Sequence, residues 1–65
     1  MRRGGDSYYV IVNKDGEDYT IDDIIEGEMI VDFDTWEAAE EELAYLLEEE
    51  ELDEADGWHV ERVRW

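Results

Sequence analysis

The sequence predicts an α+β domain, a small antiparallel-rich β-sheet with one amphipathic helix packed on one face. Three observations predict it. Two β-rich runs flank the pair Asp15-Gly16, a helical pattern with a capping signal occupies residues 34–51, and another β-rich run, GWHVERVRW, follows. A chain of 65 residues has room for a single domain, residues 1–65, built from a hairpin, a third strand, the helix and a C-terminal strand.

The first residues, MRRGGDS, contain two arginines and a glycine pair but no apolar run. We expect residues 1–6 to be flexible, since terminal residues without packing partners are usually poorly ordered. A secretory signal needs an apolar stretch after its basic residues, so none is expected here. No run approaches the ~20 apolar residues of a membrane span, and we expect a cytoplasmic protein with no membrane partner.

The segment YYVIVNKDGEDYTID is predicted to form a β-hairpin that turns at Asp15-Gly16, a pair that tolerates positive φ at both central positions. This turn predicts two cross-strand pairs, Val12 with Tyr19 and Val10 with Ile21. Both pairs are expected to face the core, together with Tyr8. The opposite face carries three polar and two apolar side chains: Asp18, Thr20, Asp22, Tyr9 and Ile11. Either the first strand is central and covered on both sides, or Tyr9 and Ile11 are exposed for a partner.

A third strand is predicted over EMIVDF, residues 28–33, after a turn or bulge at Gly27. Its alternation defines two faces: Met29, Val31 and Phe33 on one, Ile30 and Asp32 on the other. The preceding DDIIEG is ambiguous, because Ile24 and Ile25 could either extend a strand or belong to a helical turn.

The helix is predicted from DTWEAAEEELAYLLEEEE, with Asp34 as the N-cap and Glu37 at capping-box spacing. At about 100° per residue its apolar side chains form one stripe: Trp36, Ala39, Leu43, Leu46 and Leu47. Glu50 would fall back onto this stripe, so we expect the helix to fray there. Glutamates at that end also oppose the helix macrodipole, which favours cations near the C-terminus.

The polar side of this helix carries glutamates on two edges and a tyrosine between them. Glu37, Glu41 and Glu48 share one edge, Glu42 and Glu49 lie on the other, and Tyr45 lies near the middle. Residues on adjacent turns have Cβ atoms about 5–6 Å apart. That spacing is of the same order as the spacing of neighbouring phosphates on a nucleic-acid strand.

The last strand, in GWHVERVRW, changes its apolar face partway along. Trp58 and Val60 point one way, and Val63 and Trp65 point the other. We therefore expect a bulge, or packing of only the first half of the strand on the core.

The residue types argue against several chemistries. The chain has no cysteine, and therefore no disulfide, thiolate zinc site or cysteine nucleophile. Its one histidine, His59, alternates with Trp58 and Val60, and no nucleophile with an oriented base is recognisable, so we do not expect an enzyme. The close carboxylates of NKDGED and DFD lack the twelve-residue calcium-loop pattern, and we expect no metal site and no cofactor.

Charge is the dominant feature of the chain. The 22 acidic residues face five Lys and Arg, for a formal net charge of −17, and no Lys or Arg lies between Asp15 and Glu61. Such a chain repels nucleic acid and anionic membranes and attracts basic surfaces. We therefore expect no direct binding to nucleic acid. The expected partner is a basic nucleic-acid-binding protein, bound by a monomer or dimer of this chain.

In its small size, its fold, its lack of cysteine and its excess of acid, the chain resembles the DNA-mimic inhibitors made by phages and mobile elements, which include many anti-CRISPR proteins. The resemblance implies an inhibitor of the nucleic-acid channel or duplex-recognition site of a bacterial defence protein, such as a subunit of a CRISPR effector. The candidate contact face is the outer side of the helix: Glu37, Glu41, Tyr45 and Glu48, flanked by Glu42 and Glu49. A second candidate face lies on the sheet: Asp18, Asp22 and Asp32, with Tyr9 and Ile11 as apolar anchors.

Salt adaptation is the alternative explanation of the charge. Proteins of extreme halophiles are acidic throughout and nearly free of lysine, and this chain has one Lys and four Arg. The protein would then be a small salt-adapted protein-binding module with no nucleic-acid mimicry. The long stretch without a base favours mimicry, whereas the acids that crowd the turns favour salt adaptation.

Overall fold

The computed structural model describes residues 7–64, and the expectations for residues 1–6 and Trp65 lie outside them. Its elements, in chain order, are β1 (Ser7–Val12), β2 (Thr20–Asp23), β3 (Gly27–Ile30), β4 (Asp32–Phe33), α1 (Trp36–Glu48), a 3₁₀ turn (Glu54–Asp56) and β5 (His59–Arg64). β1 lies between β4 and β5 in an antiparallel sheet that α1 covers, and β2 pairs with β3 separately. The predicted α+β class, with a small antiparallel sheet and one helix, is confirmed.

The molecule has two parts, which we call the body and the arm. The body is the three-stranded sheet with α1, and its core is a cluster of buried apolar side chains: Ile11, Ala39, Leu43, Leu46 and Val60. The arm is the β2–β3 hairpin, residues 20–30, whose strands pack mainly against each other. A hydrogen bond from Val31 N to Tyr19 O, at 3.2 Å, closes the base of the arm.

β1 pairs along its whole length with the last strand and only briefly with the segment that follows it. Its register with β5 runs without a break from Ser7 opposite Arg64 to Val12 opposite His59. The chain does turn back after β1 as predicted, with hydrogen bonds from Asn13 N to Glu17 O at 3.0 Å and from Tyr19 N to Ile11 O at 2.7 Å. The predicted long ladder is wrong, because β2 leaves β1 and pairs with β3 instead. The ladder between β1 and the segment after it is reduced to a single bridge, Val12 with Asp18.

The turn after β1 is organised by the side chain of Asn13. Its Oδ1 accepts hydrogen bonds from the backbone N–H groups of Asp15 and Glu17, each at 2.9 Å, and its backbone O accepts one from Gly16 N at 3.0 Å. Gly16 has a φ of 83°, but Asp15 does not share this left-handed conformation. The predicted turn requires positive φ at both residues and therefore does not form. Val12 lies opposite Asp18 instead of Tyr19, a shift of one residue from the predicted register.

The end of β1 is buried on both of its faces. Val10, Ile11 and Val12 are all buried, and Ile11 has no exposed surface. Val10 and Val12 are thus buried as predicted, although the cluster under α1 contains Ile11 and Val60 instead. Ile21, predicted to pair with Val10 on the core-facing side, is exposed in β2, so that part of the prediction is wrong. Of the two alternatives for the first strand, a central strand covered on both sides is confirmed, with Tyr9 partly buried against the core.

The predicted third strand is divided at Val31 between the two parts of the molecule. β3 belongs to the arm, where Met29 is exposed, whereas β4 belongs to the body, where Phe33 packs against the core. The ambiguous DDIIEG forms the end of β2 and the turn of the arm, residues 24–26. Gly27 follows with a φ of 85°, which glycine adopts without strain.

α1 begins one residue later than predicted. Thr35, rather than Asp34, is the N-cap: its backbone is extended, and its Oγ1 accepts a hydrogen bond from Ala38 N at 3.1 Å. Glu37 is therefore the second helical residue instead of the third, so the predicted capping box is wrong. A threonine cap of this kind stabilises a helix by about 1 kcal/mol.

The predicted apolar stripe of α1 is largely correct. Ala39, Leu43 and Leu46 are buried in the core, and Leu47 packs against it. Trp36, at the start of the stripe, is 45% exposed and makes an edge-to-face contact with Tyr9, with ring centroids 5.9 Å apart.

The end of α1 is a left-handed cap made by a glutamate. Glu51 N donates to Leu46 O at 2.9 Å and Glu50 N donates to Leu47 O at 3.2 Å, the pair of bonds that defines a Schellman motif. Glu50 has a φ of 60°, in the position that glycine usually occupies. The helix therefore ends near the predicted Glu50, but in an ordered cap that costs about 1–2 kcal/mol because the residue has a Cβ atom.

β5 alternates regularly, because its register with β1 is continuous over all six residues. Val60 lies on the helix-covered side, and Trp58, just before the strand, packs against the same core. Val63 points to the other side, as predicted. The expected bulge between these residues is absent from His59–Arg64, and the change of face simply follows the two-residue period.

Candidate protein-binding surface

The outer side of α1 forms a ridge of exposed side chains, which we call the acidic ridge: Glu37, Glu41, Tyr45 and Glu48. Successive members are three or four residues apart, so each lies one turn beyond the last, and the ridge is about 16 Å long. Tyr45 is 53% exposed. The helix itself contains no Lys or Arg. The structure therefore brings these four predicted residues together on a rigid element.

The two flanking glutamates of the prediction differ in position. Glu42 is partly buried, and together with Glu51 it lies near Tyr19 at the side of the body. Burial is the main cause that raises the pKa of the Tyr19 phenol, and the two carboxylates raise that pKa further. Glu49 is exposed and caps the helix C-terminus. Glu42 therefore faces the body, while Glu49 extends the acidic ridge toward the next loop.

The second candidate face is not a single face in the structure. Asp18 lies in the loop after β1, Asp22 lies opposite Glu28 in the arm, and Asp32 lies opposite Val10 in the body. The two expected anchors are also inaccessible or nearly so, since Ile11 is fully buried and Tyr9 is partly buried. The roles of the three aspartates in binding stay predictions.

A groove beyond the end of α1 was not foreseen from the sequence. It has a volume of about 750 Å³, with an apolar floor of Leu47, Leu52 and Trp58. Five carboxylates line it: Glu50, Glu51, Asp53, Glu54 and Asp56. We call it the acidic groove. Its wall is ordered by the 3₁₀ turn, where Asp53 Oδ1 accepts a hydrogen bond from Ala55 N at 2.9 Å.

A sequence signal for this groove does exist. Asp53 is a good cap residue for a short helical turn, and Gly57, four residues later, ends that turn with a φ of 72°. Asp53 and Gly57 together predict an ordered turn in a segment where the density of acidic residues alone indicates none. The apolar floor carries no comparable signal, because it joins Leu47 of the helix to Trp58 of the last strand.

The indole of Trp58 has an unsatisfied polar atom. Its Nε1 is buried and has no hydrogen-bond partner among the described residues. A buried N–H without an acceptor destabilises a fold by about 1–3 kcal/mol. Trp58 therefore lines the acidic groove and also carries a buried N–H group that has no acceptor.

His59 lies at the start of β5, and both of its ring nitrogens face acceptors. Nδ1 lies 2.9 Å from Gly57 O and Nε2 lies 3.2 Å from a carboxylate oxygen of Glu61. Only the imidazolium can donate both hydrogen bonds, so the Gly57 carbonyl first and Glu61 second raise the pKa of His59. The side chain is half-exposed.

The described residues contain neither a metal-binding cluster nor a helix that could cross a membrane. Residues 7–64 contain no group of three or more His, Asp or Glu side chains placed to hold a metal ion. Among the helices in that range, none has the length and apolar character that a bilayer crossing requires.

Comparison with known proteins found no matching family model, no matching curated protein and no matching solved structure.

Proposed function

We propose that this protein is an acidic DNA mimic that binds the basic nucleic-acid-binding surface of a protein target and blocks it. One observation carries the proposal: the acidic ridge on α1 and the acidic groove beyond the end of α1 both lie within a stretch, Asp15 to Glu61, that has no Lys or Arg. The target class is a cytoplasmic defence protein that recognises DNA or RNA, such as a CRISPR effector subunit. The protein acts by binding and not as an enzyme.

Rigidity supports the proposal as much as charge does. The ridge carboxylates are held on a helix with an ordered cap at each end, Thr35 and Glu50. A carboxylate on a fixed element loses less conformational entropy on binding than one on a flexible tail. A nucleic-acid-binding groove presents Arg and Lys in rows, and rows of carboxylates one helical turn apart can pair with them.

The acidic groove suits an arginine of such a target. The aliphatic part of an Arg side chain can pack on Leu47 and Leu52, while its guanidinium meets the surrounding carboxylates. Trp58 offers an aromatic face, on which guanidinium groups stack favourably. Arg residues that contact phosphate or guanine in the target would thus find charge and packing together.

The test begins with a target captured on immobilised protein at low salt. The captured protein is purified, and its binding to a labelled duplex is measured by fluorescence anisotropy while this protein is added. The proposal predicts displacement of the duplex. It is refuted for that target if this protein binds while the duplex stays bound with unchanged affinity.

Matched charge variants locate the contact. The ridge variant Glu37→Lys, Glu41→Lys, Glu48→Lys and the control variant Asp15→Lys, Asp18→Lys, Asp32→Lys change the net charge equally. Circular dichroism first establishes that both are folded. We expect the ridge variant to lose displacement, chiefly through slower association at low salt, and the control variant to keep most of it. The opposite result would keep mimicry but move the contact away from α1.

Salt adaptation is kept as a second candidate because exposed carboxylates also occur away from the ridge and groove. Asp15 and Glu17 lie in the loop after β1, and Asp22 and Glu28 lie in the arm. A general surface bias produces such a distribution. The two candidates differ in the salt concentration at which the protein folds.

A further inference from the structure

The arm presents the most exposed apolar side chains of the described chain. Ile24 and Ile25, at its tip, are 103% and 89% exposed. Three more large apolar side chains along the arm are exposed: Ile21, Met29 and Ile30. None of the five belongs to the core cluster, so they contribute little to the packing of the body.

The geometry of the arm makes it a projecting element. Four cross-strand pairs, from Thr20 opposite Ile30 to Asp23 opposite Gly27, join β2 to β3. Ile21 and Met29 lie directly opposite each other and share a face. Isolated two-stranded hairpins are at best marginally stable in water, and large exposed apolar patches with a polar border mark interaction sites.

The border of this patch identifies the kind of partner. Asp22 and Glu28 are opposite each other across the arm, and Glu26 lies in the turn beside the two isoleucines. The nearest Lys or Arg along the chain is Lys14, before the arm begins. A second copy of the chain would bring another net charge of −17 against these acids, and an anionic membrane would repel them too. A cationic protein surface is the complementary one.

We propose that the arm is an apolar anchor that inserts Ile24 and Ile25 into an apolar pocket of a cationic protein, whose Lys and Arg residues rim that pocket. The inference rests on the proposed function in one respect, that the partner is a basic protein. The acidic ridge and the arm contribute to different steps of binding. Carboxylates of the acidic ridge speed encounter with a basic surface, whereas buried apolar anchors slow dissociation.

Two synthetic peptides of equal charge serve as the probes. One is an amphipathic helical peptide of Lys and Leu, and the other has every Leu replaced by Ser. Their binding to the full chain is measured by fluorescence anisotropy at about 0.1 M salt, where surface charges still interact over about 10 Å. We expect the wild-type protein to bind the Leu peptide at least tenfold more tightly than the Ser peptide.

Two arm variants show where that preference arises. The Ile24→Ser, Ile25→Ser variant should bind both peptides with the affinity that wild type has for the Ser peptide. The matched Ile24→Val, Ile25→Val variant should keep the preference. The proposal is overturned if wild type binds the two peptides equally, or if the Ser variant keeps the preference, which would place the apolar site elsewhere, for example at the acidic groove.

Other occupants of the arm are also tested with the Ser variant. A dimer of wild type in sedimentation velocity that the variant abolishes would assign the arm to self-association and overturn the proposal. Co-sedimentation with phosphatidylcholine vesicles that the variant abolishes would overturn it in favour of a membrane. Failure of DNA displacement in the competition assay, with the peptide preference intact, would refute mimicry alone and leave the anchor standing.

Discussion

The body and the arm contain the same kind of side chain in opposite circumstances. Ile11 of the body has no exposed surface and lies under α1, whereas Ile24 of the arm is fully exposed. The body closes on itself because its first and last strands pair along six residues. The arm has only its own two strands. Burial explains why the body folds, whereas the exposed apolar side chains of the arm add little to the stability of the fold.

The two sides of α1 also differ in their effect on stability. The core-facing side of α1 stabilises the body, whereas its outer side carries like charges that repel each other. Glu48 lies in the last turn, where the helix dipole disfavours an anion. These glutamates therefore lower the stability of the fold. The exposed isoleucines of the arm do not raise it. Both sets are therefore the best places to look for binding.

The largest expected effect comes from making the same substitution in both parts. We expect Ile11→Ala to lower the free energy of unfolding by about 2–5 kcal/mol, because it leaves a cavity in the core. Ile24→Ala should change it by no more than about 0.5 kcal/mol, because its side chain is already in water. Urea denaturation followed by circular dichroism measures both. Similar losses in the two variants would mean that the arm packs on the body in solution.

A smaller effect is expected at the end of α1. Glu50→Gly should raise the free energy of unfolding by about 1 kcal/mol, because glycine adopts a φ of 60° without the Cβ clash. Glu49→Gly removes the same charge at a residue with a φ of −84°, where glycine only adds freedom to the unfolded chain. It should be neutral or destabilising. Equal effects of the two substitutions would show that charge, and not backbone conformation, controls this end.

The smallest effect concerns pH and His59. Its pKa is raised in the folded protein, so protonation stabilises the fold, and that contribution is fully present below the unfolded-state pKa of about 6.5. The contribution is lost as pH rises through the higher folded-state pKa. We therefore expect wild type to exceed His59→Gln in melting temperature at pH 5.5 and the difference to shrink by pH 8. A difference that grows with pH would contradict the hydrogen-bond assignment.

The sequence predicted best what depends on local order. The stripe of α1 and the exposure of Glu37, Glu41, Tyr45 and Glu48 follow from the helical period alone. Even the N-cap was displaced by only one residue, because Asp34 and Thr35 are both good caps. The acidic ridge was therefore predictable before its surroundings were known.

Strand partners could not be predicted in the same way. The pair Asp15-Gly16 favoured a long hairpin, but β4 takes the edge of β1 at Tyr9 and Val10, which leaves only a short pairing beside the turn. The other edge pairs with β5, where Ile11 meets Val60. That choice depends on residues some fifty positions apart in the sequence. Ile21 was assigned to the core because it was paired with Val10, and only the separation of the arm from the body shows that it is exposed.

The most direct test of whether the charge serves a partner is the dependence of folding on salt, since it requires no partner. Thermal melts are followed by circular dichroism from 0.15 M to 3 M KCl. Screening shortens the reach of repulsion from about 10 Å at 0.1 M to about 3 Å at 1 M. We predict a cooperative transition already at 0.15 M, with a melting temperature that rises and levels off by about 1 M as repulsion is screened. A chain that stays unfolded until molar salt would contradict the account and assign its acidity to salt adaptation.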